Sequence, residues 1–284
     1  MSLRGKLTHK MMLKRLDMDK PLAALRKDFE DMKVKPLHSE IETVEVNLGT
    51  WYIPKHYDGV IYYLHGGGYC LGIYEPIRNH ARYIANLTKK KVFLLDYRLS
   101  PEHPYPAAVE DMIKGYDYIL NQTKPDSVAI YGDSSGCGLA LSGLMRLKSR
   151  LPAAVVMATP FVDASKDKES ISKYKALDPY YTEKYTISDY YVQNRNPKDS
   201  EISPLYGDLK GLPPIMIHAA EYDTLQDDSN RLYHKLVEAN NNASMKLWKG
   251  MWHVFHMNAD LIPEARKAMI DFALFIDEHI GRTK

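Results

Sequence analysis

Cysteine occurs only twice in the 284 residues, at Cys70 and Cys137, too few for a disulfide framework. Together with thirteen methionines, this suits a reducing compartment, and a cytoplasmic location is expected. No apolar run approaches the roughly 18 residues that span a bilayer, so an integral membrane protein is excluded. The stretch from Met1 to Lys14 is basic but lacks the apolar core and small-residue cleavage site of a signal peptide. Charge of one sign is also scarce. Thirty-eight Lys and Arg against 36 Asp and Glu leave a net charge of +2, and the only basic run is Lys89-Lys90-Lys91. Neither a nucleic-acid partner nor a membrane surface is expected from that balance.

What is present is an ordinary globular mixture, 45% hydrophobic and 26% charged. Five β-rich runs recur: Val60 to Leu64, Val92 to Tyr97, Ser127 to Tyr131, Ala154 to Ala158 and Ile215 to Ala219. Each is followed by turn residues and a stretch of helical spacing. Continuous apolar runs separated by helices predict an α/β fold with a parallel sheet buried on both faces. Ile41 to Val46 and Thr50 to Ile53 predict an antiparallel edge hairpin, and Met245 to Trp248 a last strand. Helices are predicted over Pro76 to Lys89, Pro106 to Asn121, Gly136 to Arg150 and Ile262 to Ile280. Residues 1 to about 40 and 165 to about 196 stand outside this alternation. They are expected to form a cap over the strand ends, within a single domain spanning 1–284.

Gly132-Asp133-Ser134-Ser135-Gly136 is a G-x-S-x-G placed between a strand and a helix. Such a turn lifts Ser134 clear of the backbone at the positive end of a helix and aims the Ser135 N–H at a developing oxyanion. Alone, the motif fits a glycine-rich β–α turn equally well. His65-Gly66-Gly67-Gly68, after the strand Val60 to Leu64, is rarer by composition. Its bare amides can approach a substrate carbonyl, which makes it an oxyanion loop.

A serine nucleophile needs a base and an acid that orients the base. Asp223 follows the strand Ile215 to Ala219, and His253 follows the last strand, giving the order Ser, Asp, His. Asp227 and Asp228 compete as acid but fit a helix start better. His256, His234 and His279 compete as base; the last two fall in helical stretches, and a His253/His256 metal pair has no further ligand spacing. Ser165-Lys166-Asp167-Lys168 matches S-x-x-K but lacks that pattern's companion motifs.

The oxyanion loop, Asp96 to Ala108 (DYRLSPEHPYPAA), the serine turn, Ser203-Pro204-Leu205 and Asp223 to Asp228 (DTLQDD) together resemble the hormone-sensitive-lipase-like family of α/β-hydrolase esterases. The match runs from about Asp58 to the C-terminus. It implies a mostly parallel sheet of about eight strands, flanking helices and a helical cap. It also implies Ser134 as nucleophile, Asp223 as acid and His253 as base, with Gly66, Gly67 and the Ser135 amide as oxyanion donors. The chain departs from the family's usual Gly-Asp-Ser-Ala-Gly-Gly-Asn at Ser135, Cys137 and Gly138, and its N-terminal piece is short. A serine carboxylesterase acting on short, acetyl-like esters through an acyl-enzyme, with no cofactor and no metal, is the resulting expectation. A peptidase of the same fold and a non-catalytic small-ligand receptor stay open, as does a homodimer. The substrate pocket is expected to include Tyr69 with one or two of Tyr174, Tyr180, Tyr181, Tyr185, Tyr190 and Tyr191.

Overall fold

The computed structural model describes residues 1–32, 34–147, 150–183 and 188–281; Tyr185 lies outside them. Eight strands run in chain order as β1 (Glu42–Val46), β2 (Gly49–Ile53), β3 (Val60–Leu64), β4 (Lys91–Leu95), β5 (Val128–Asp133), β6 (Ala154–Ala158), β7 (Ile215–Tyr222) and β8 (Ala243–Trp252). They form one sheet in the order β1-β2-β4-β3-β5-β6-β7-β8. The edge hairpin β1–β2 is antiparallel and joins β4 antiparallel, whereas every pair from β4 through β3 to β8 is parallel. The expected α/β-hydrolase architecture is thus observed.

Side chains on the parallel strands alternate between two cores, as the two-residue strand period requires. Tyr62 and Leu64 of β3 face a cluster completed by Met112, Leu141 and Leu232. Those three come from α4 (Ala107–Leu120), α5 (Ser135–Leu147) and α8 (Gln226–Glu238). Ile61 and Tyr63 face the opposite cluster with Ile77 and Phe272, from α3 (Glu75–Thr88) and α9 (Pro263–His279). Both sheet faces are covered, so the strands read as unbroken apolar runs.

Strands β7 and β8 extend beyond the predicted limits. Their parallel ladder continues past a bulge between Ala220 and Tyr222 until Tyr222 pairs with Trp252. Glu221 and Tyr222 therefore end a strand, and Asp223 is the first residue beyond it. Among the described residues, four helices lie outside the sheet alternation: α1 (Leu3–Arg15), α2 (Leu22–Glu30), α6 (Glu169–Tyr174) and α7 (Asp189–Val192). Leu22, Leu25 and Phe29 of α2 form a third cluster with Met18, Cys70 and Leu71, against which Tyr180 and Tyr190 pack. Arg26 of α2 clamps the same junction, donating to the carbonyls of Cys70 and Ser100 and to both carboxylate oxygens of Glu102. No helix among the described residues is long and apolar enough to cross a membrane.

The first turn of α5 passes so close to β3 that a Cβ on Gly136 would lie 1.9 Å from the Leu64 carbonyl oxygen. Backbone cannot yield as a flexible side chain can. Gly136→Ala is expected to lower stability by about 1–3 kcal/mol, the usual cost of overpacking, read as a reduced urea midpoint with an unchanged slope.

Candidate active site

The chain passes from β3 outward to β4 and returns to the other side of β3 as β5. The loops after β3 and β5 therefore open a crevice at the carboxyl end of the sheet, where α/β proteins place their ligands. Ser134 sits in that crevice, between the last residue of β5 and the first of α5. Its φ is +52°, a conformation that costs a non-glycine residue energy and must be held from outside. The Ser134 N–H donates to the Ala158 carbonyl, and its own carbonyl accepts from the Cys137 and Phe161 amides, all at 3.0 Å.

The structure brings three of the anticipated side chains together. His253 Nε2 lies 2.9 Å from Ser134 Oγ, and His253 Nδ1 lies 3.1 Å from Asp223 Oδ2. A carboxylate only accepts hydrogen bonds, so Nδ1 carries a proton, and once the ring is neutral Nε2 is the nitrogen left to accept from the serine hydroxyl. Asp223 is fully buried, and its second oxygen accepts from the Leu225 amide at 2.8 Å. Burial disfavours a charged His253 ring, but the adjacent carboxylates of Asp223, Asp178 and Asp133 outweigh it and raise the pKa to about 9.

The competing residues lie elsewhere. Asp227 accepts from the Ser170 amide. Asp228 receives the Val162 and Asp163 amides and pairs with buried Lys168 at 2.7 Å. His256 turns into the core, 3.3 Å from His218. His234 is in α8 and His279 in α9, the latter within 2.8 Å of the Phe275 carbonyl.

Two sequence expectations need correction. The Gly66 N–H is not free for an oxyanion, because it donates to Asp133 Oδ2 at 3.0 Å. Neutral His65, its pKa lowered to about 4 by burial, holds the Gly66 carbonyl through Nδ1 at 2.8 Å. In a trans peptide the next N–H points the opposite way, so the Gly67 amide is turned from His65. Gly67 and Gly68 adopt φ of +110° and +61° and line the cavity. Tyr69 is the second correction. Its own positive φ of +63° accompanies a side chain that is 2% exposed and stacked on Tyr191 at 3.8 Å. It belongs to the core beneath the cavity and is absent from the wall.

The cavity beside Ser134 and His253 holds about 190 Å³. Its wall is largely apolar, with Met18, Phe29, Leu71, Tyr74, Ile77 and Phe161, and it includes Tyr180 and Tyr181 of the insertion. Ser135 Oγ accepts from the Tyr69 amide at 3.3 Å, which gives this departure from the family pattern a structural use. The sequence reading overlooked Asp178, a buried residue of the insertion that also lines the cavity. One carboxylate oxygen accepts from the Thr224 amide at 2.9 Å and its hydroxyl at 2.7 Å. The other accepts from the Tyr180 amide at 3.0 Å. Asp178 thus fastens the insertion to the residue after Asp223, and the Tyr180 ring stands edge-on to His253 at 5.9 Å. Only an acid inside a tyrosine-rich segment marked it in the sequence.

A family model described as alpha/beta hydrolase fold matches residues 61–257. An esterase of Acinetobacter venetianus is 35% identical over 223 residues, covering 76% of this chain and 74% of its own. An acetyl-hydrolase of Streptomyces hygroscopicus is 33% identical, covering 85% and 82%. Among solved structures, an esterase of the bacterial hormone-sensitive lipase family superposes with a TM-score of 0.88 at 30% identity over 99% of both chains. EstE5 soaked with p-nitrophenyl butyrate gives 0.93 at 29% identity over 98% of this chain and 99% of that one.

Removing an anion that favours the imidazolium must lower its pKa. In a carbon-detected NMR titration, His253 is expected to change protonation near pH 9. Asp178→Asn, which keeps an acceptor for Thr224, should move that midpoint to lower pH; an unmoved midpoint would contradict the charge pattern described.

Proposed function

The chain belongs to the α/β-hydrolase fold family, among its hormone-sensitive-lipase-like esterases, and we propose that it hydrolyses short-chain carboxylic esters with Ser134 as nucleophile, His253 as base and Asp223 as the orienting acid. The carrying observation is the continuous hydrogen-bonded chain from Asp223 through His253 to Ser134 at the wall of a small apolar cavity. In this reading His253 Nε2 takes the hydroxyl proton as Ser134 Oγ attacks the ester carbonyl. The negative oxygen that forms is met by the amides of Gly67, Gly68 and Ser135. His253 then returns the proton to the leaving alcohol, and the acyl-enzyme remains. Water loses a proton to His253 and attacks the acyl carbon; as the bond to Ser134 Oγ breaks and the acid leaves, His253 passes that proton to Oγ, which restores the Ser134 hydroxyl and the neutral ring. Asp223 stabilises the imidazolium at each stage without taking its proton.

The whole chain acts as one unit in this proposal, with residues 1–40 and 165–196 as the cap. The third hydrophobic cluster supports it, because side chains from both segments meet there. An acetyl or similarly small acyl group suits the 190 Å³ cavity. With only two cysteines in the sequence, both buried, a reducing, cytoplasmic setting suits the chain.

Ser134→Ala is expected to reduce hydrolysis of p-nitrophenyl acetate by roughly 10³-fold or more, with an unchanged thermal midpoint. The wild-type enzyme should prefer acetyl and butyryl over decanoyl nitrophenyl esters, and a decanoyl preference would overturn the short-chain assignment. Because His253 must be neutral to act as base, kcat/KM should climb with pH toward about 9 and flatten above it. A profile already flat at neutral pH would contradict that role.

A further inference from the structure

One side of α1 packs on the body of the molecule. His9 stacks on Trp252 at 5.0 Å and meets the Leu177 carbonyl at 2.7 Å. Gly5 is buried beside it, and Met12 packs against the core cluster that contains Trp252. On the other side, no hydrophobic cluster among the described residues takes in its apolar side chains. Leu3, Leu7 and Met11 recur every four residues and are 74%, 61% and 50% exposed. At the helical repeat they occupy an arc of about 80°. Lys6 and Lys10 flank that arc on one edge, Arg4 and Arg15 on the other, and Lys14 lies within it. The helix carries these five cations and no acid; all five are exposed, and among the described residues none forms an ion pair. A net charge of +2 for the whole chain conceals this segregation.

We propose that the exposed face of α1 is a docking surface for an anionic phospholipid membrane. The helix would lie flat in the interface, with Leu3, Leu7 and Met11 entering the acyl boundary and the flanking Lys and Arg heads meeting lipid phosphates. Charge and apolar pattern together select this occupant. A second copy across a two-fold axis would bring five cations against five. A nucleic acid would use the cations but leave the three apolar side chains in water. An anionic bilayer accommodates both. Thirteen residues are too few to span the hydrocarbon layer, so docking is peripheral. It also leaves the buried edge around His9 intact. Met18, three residues beyond the end of α1, lines the cavity, which places the docked lipid surface near that wall.

The inference does not depend on the identity of the ester and is tested by binding alone. The full chain carrying Ser134→Ala, chosen so that lipid is not consumed, is sedimented with two kinds of vesicle. One is phosphatidylcholine alone; the other contains equal parts of phosphatidylcholine and phosphatidylglycerol. Binding is expected only to the second and should fade in high salt. Adding Lys6→Glu and Lys10→Glu should weaken partitioning at least about 25-fold, given the usual contribution of a basic residue near an anionic surface. Adding Leu3→Ser, Leu7→Ser and Met11→Ser should abolish it, with the thermal midpoint retained as evidence of folding. No binding to the mixed vesicles, or binding that survives the triple serine variant, overturns the proposal. So does a concentration-dependent dimer that the triple variant loses, since the face would then be a subunit contact.

Discussion

The site depends on a single backbone conformation, the left-handed turn at Ser134 that joins β5 to α5. A serine at φ +52° persists only because its neighbours over-determine it. The Ala158 carbonyl fixes the amide, two N–H groups fix the carbonyl, and Gly136 lets α5 pass against Leu64 without a side chain between. From that geometry follow the raised hydroxyl, its place at a helix N-terminus and its reach to His253. Were the turn to relax, the sheet could remain packed while the hydroxyl lost its contact with His253.

Electrostatics around His253 arise from a crowd of carboxylates in a dry setting. Asp223 accepts directly from the ring, while Asp178 and Asp133 act through space. Asp133 does a second task, since its side chain occupies the Gly66 amide. Burial raises its own pKa to about 6. The residue before the serine therefore links the elbow to the glycine loop. His65, kept neutral by burial, orders the same loop from the other end.

Much of this was legible in the sequence because it rests on local rules. Apolar runs broken by helical spacing revealed the parallel sheet, and the order of Ser134, Asp223 and His253 along the chain pointed to the residues that now meet. The failures were three-dimensional. Gly66 looked like a donor because a glycine amide is bare, but its partner Asp133 lies 67 positions away. Tyr69 was expected to line the pocket, yet its ring is buried and stacks on Tyr191. Asp178 had no motif around it, and its importance comes from contact with Thr224, 46 positions later. Alpha-1 was diluted by averaging charge over the whole chain, so its polarity emerged only once its buried side was known.

The third hydrophobic cluster joins Leu22, Leu25 and Phe29 of α2 to Tyr180 and Tyr190 of the insertion, two stretches roughly 150 positions apart that share no strand of the sheet. Since these stretches also furnish Phe29 and Tyr180 to the cavity, neither can be remodelled alone. An enlarged ring on one must be matched by a trimmed one on the other, so the repertoire of acceptable acyl groups would drift by paired exchanges across this seam while the strands beneath stay as they are.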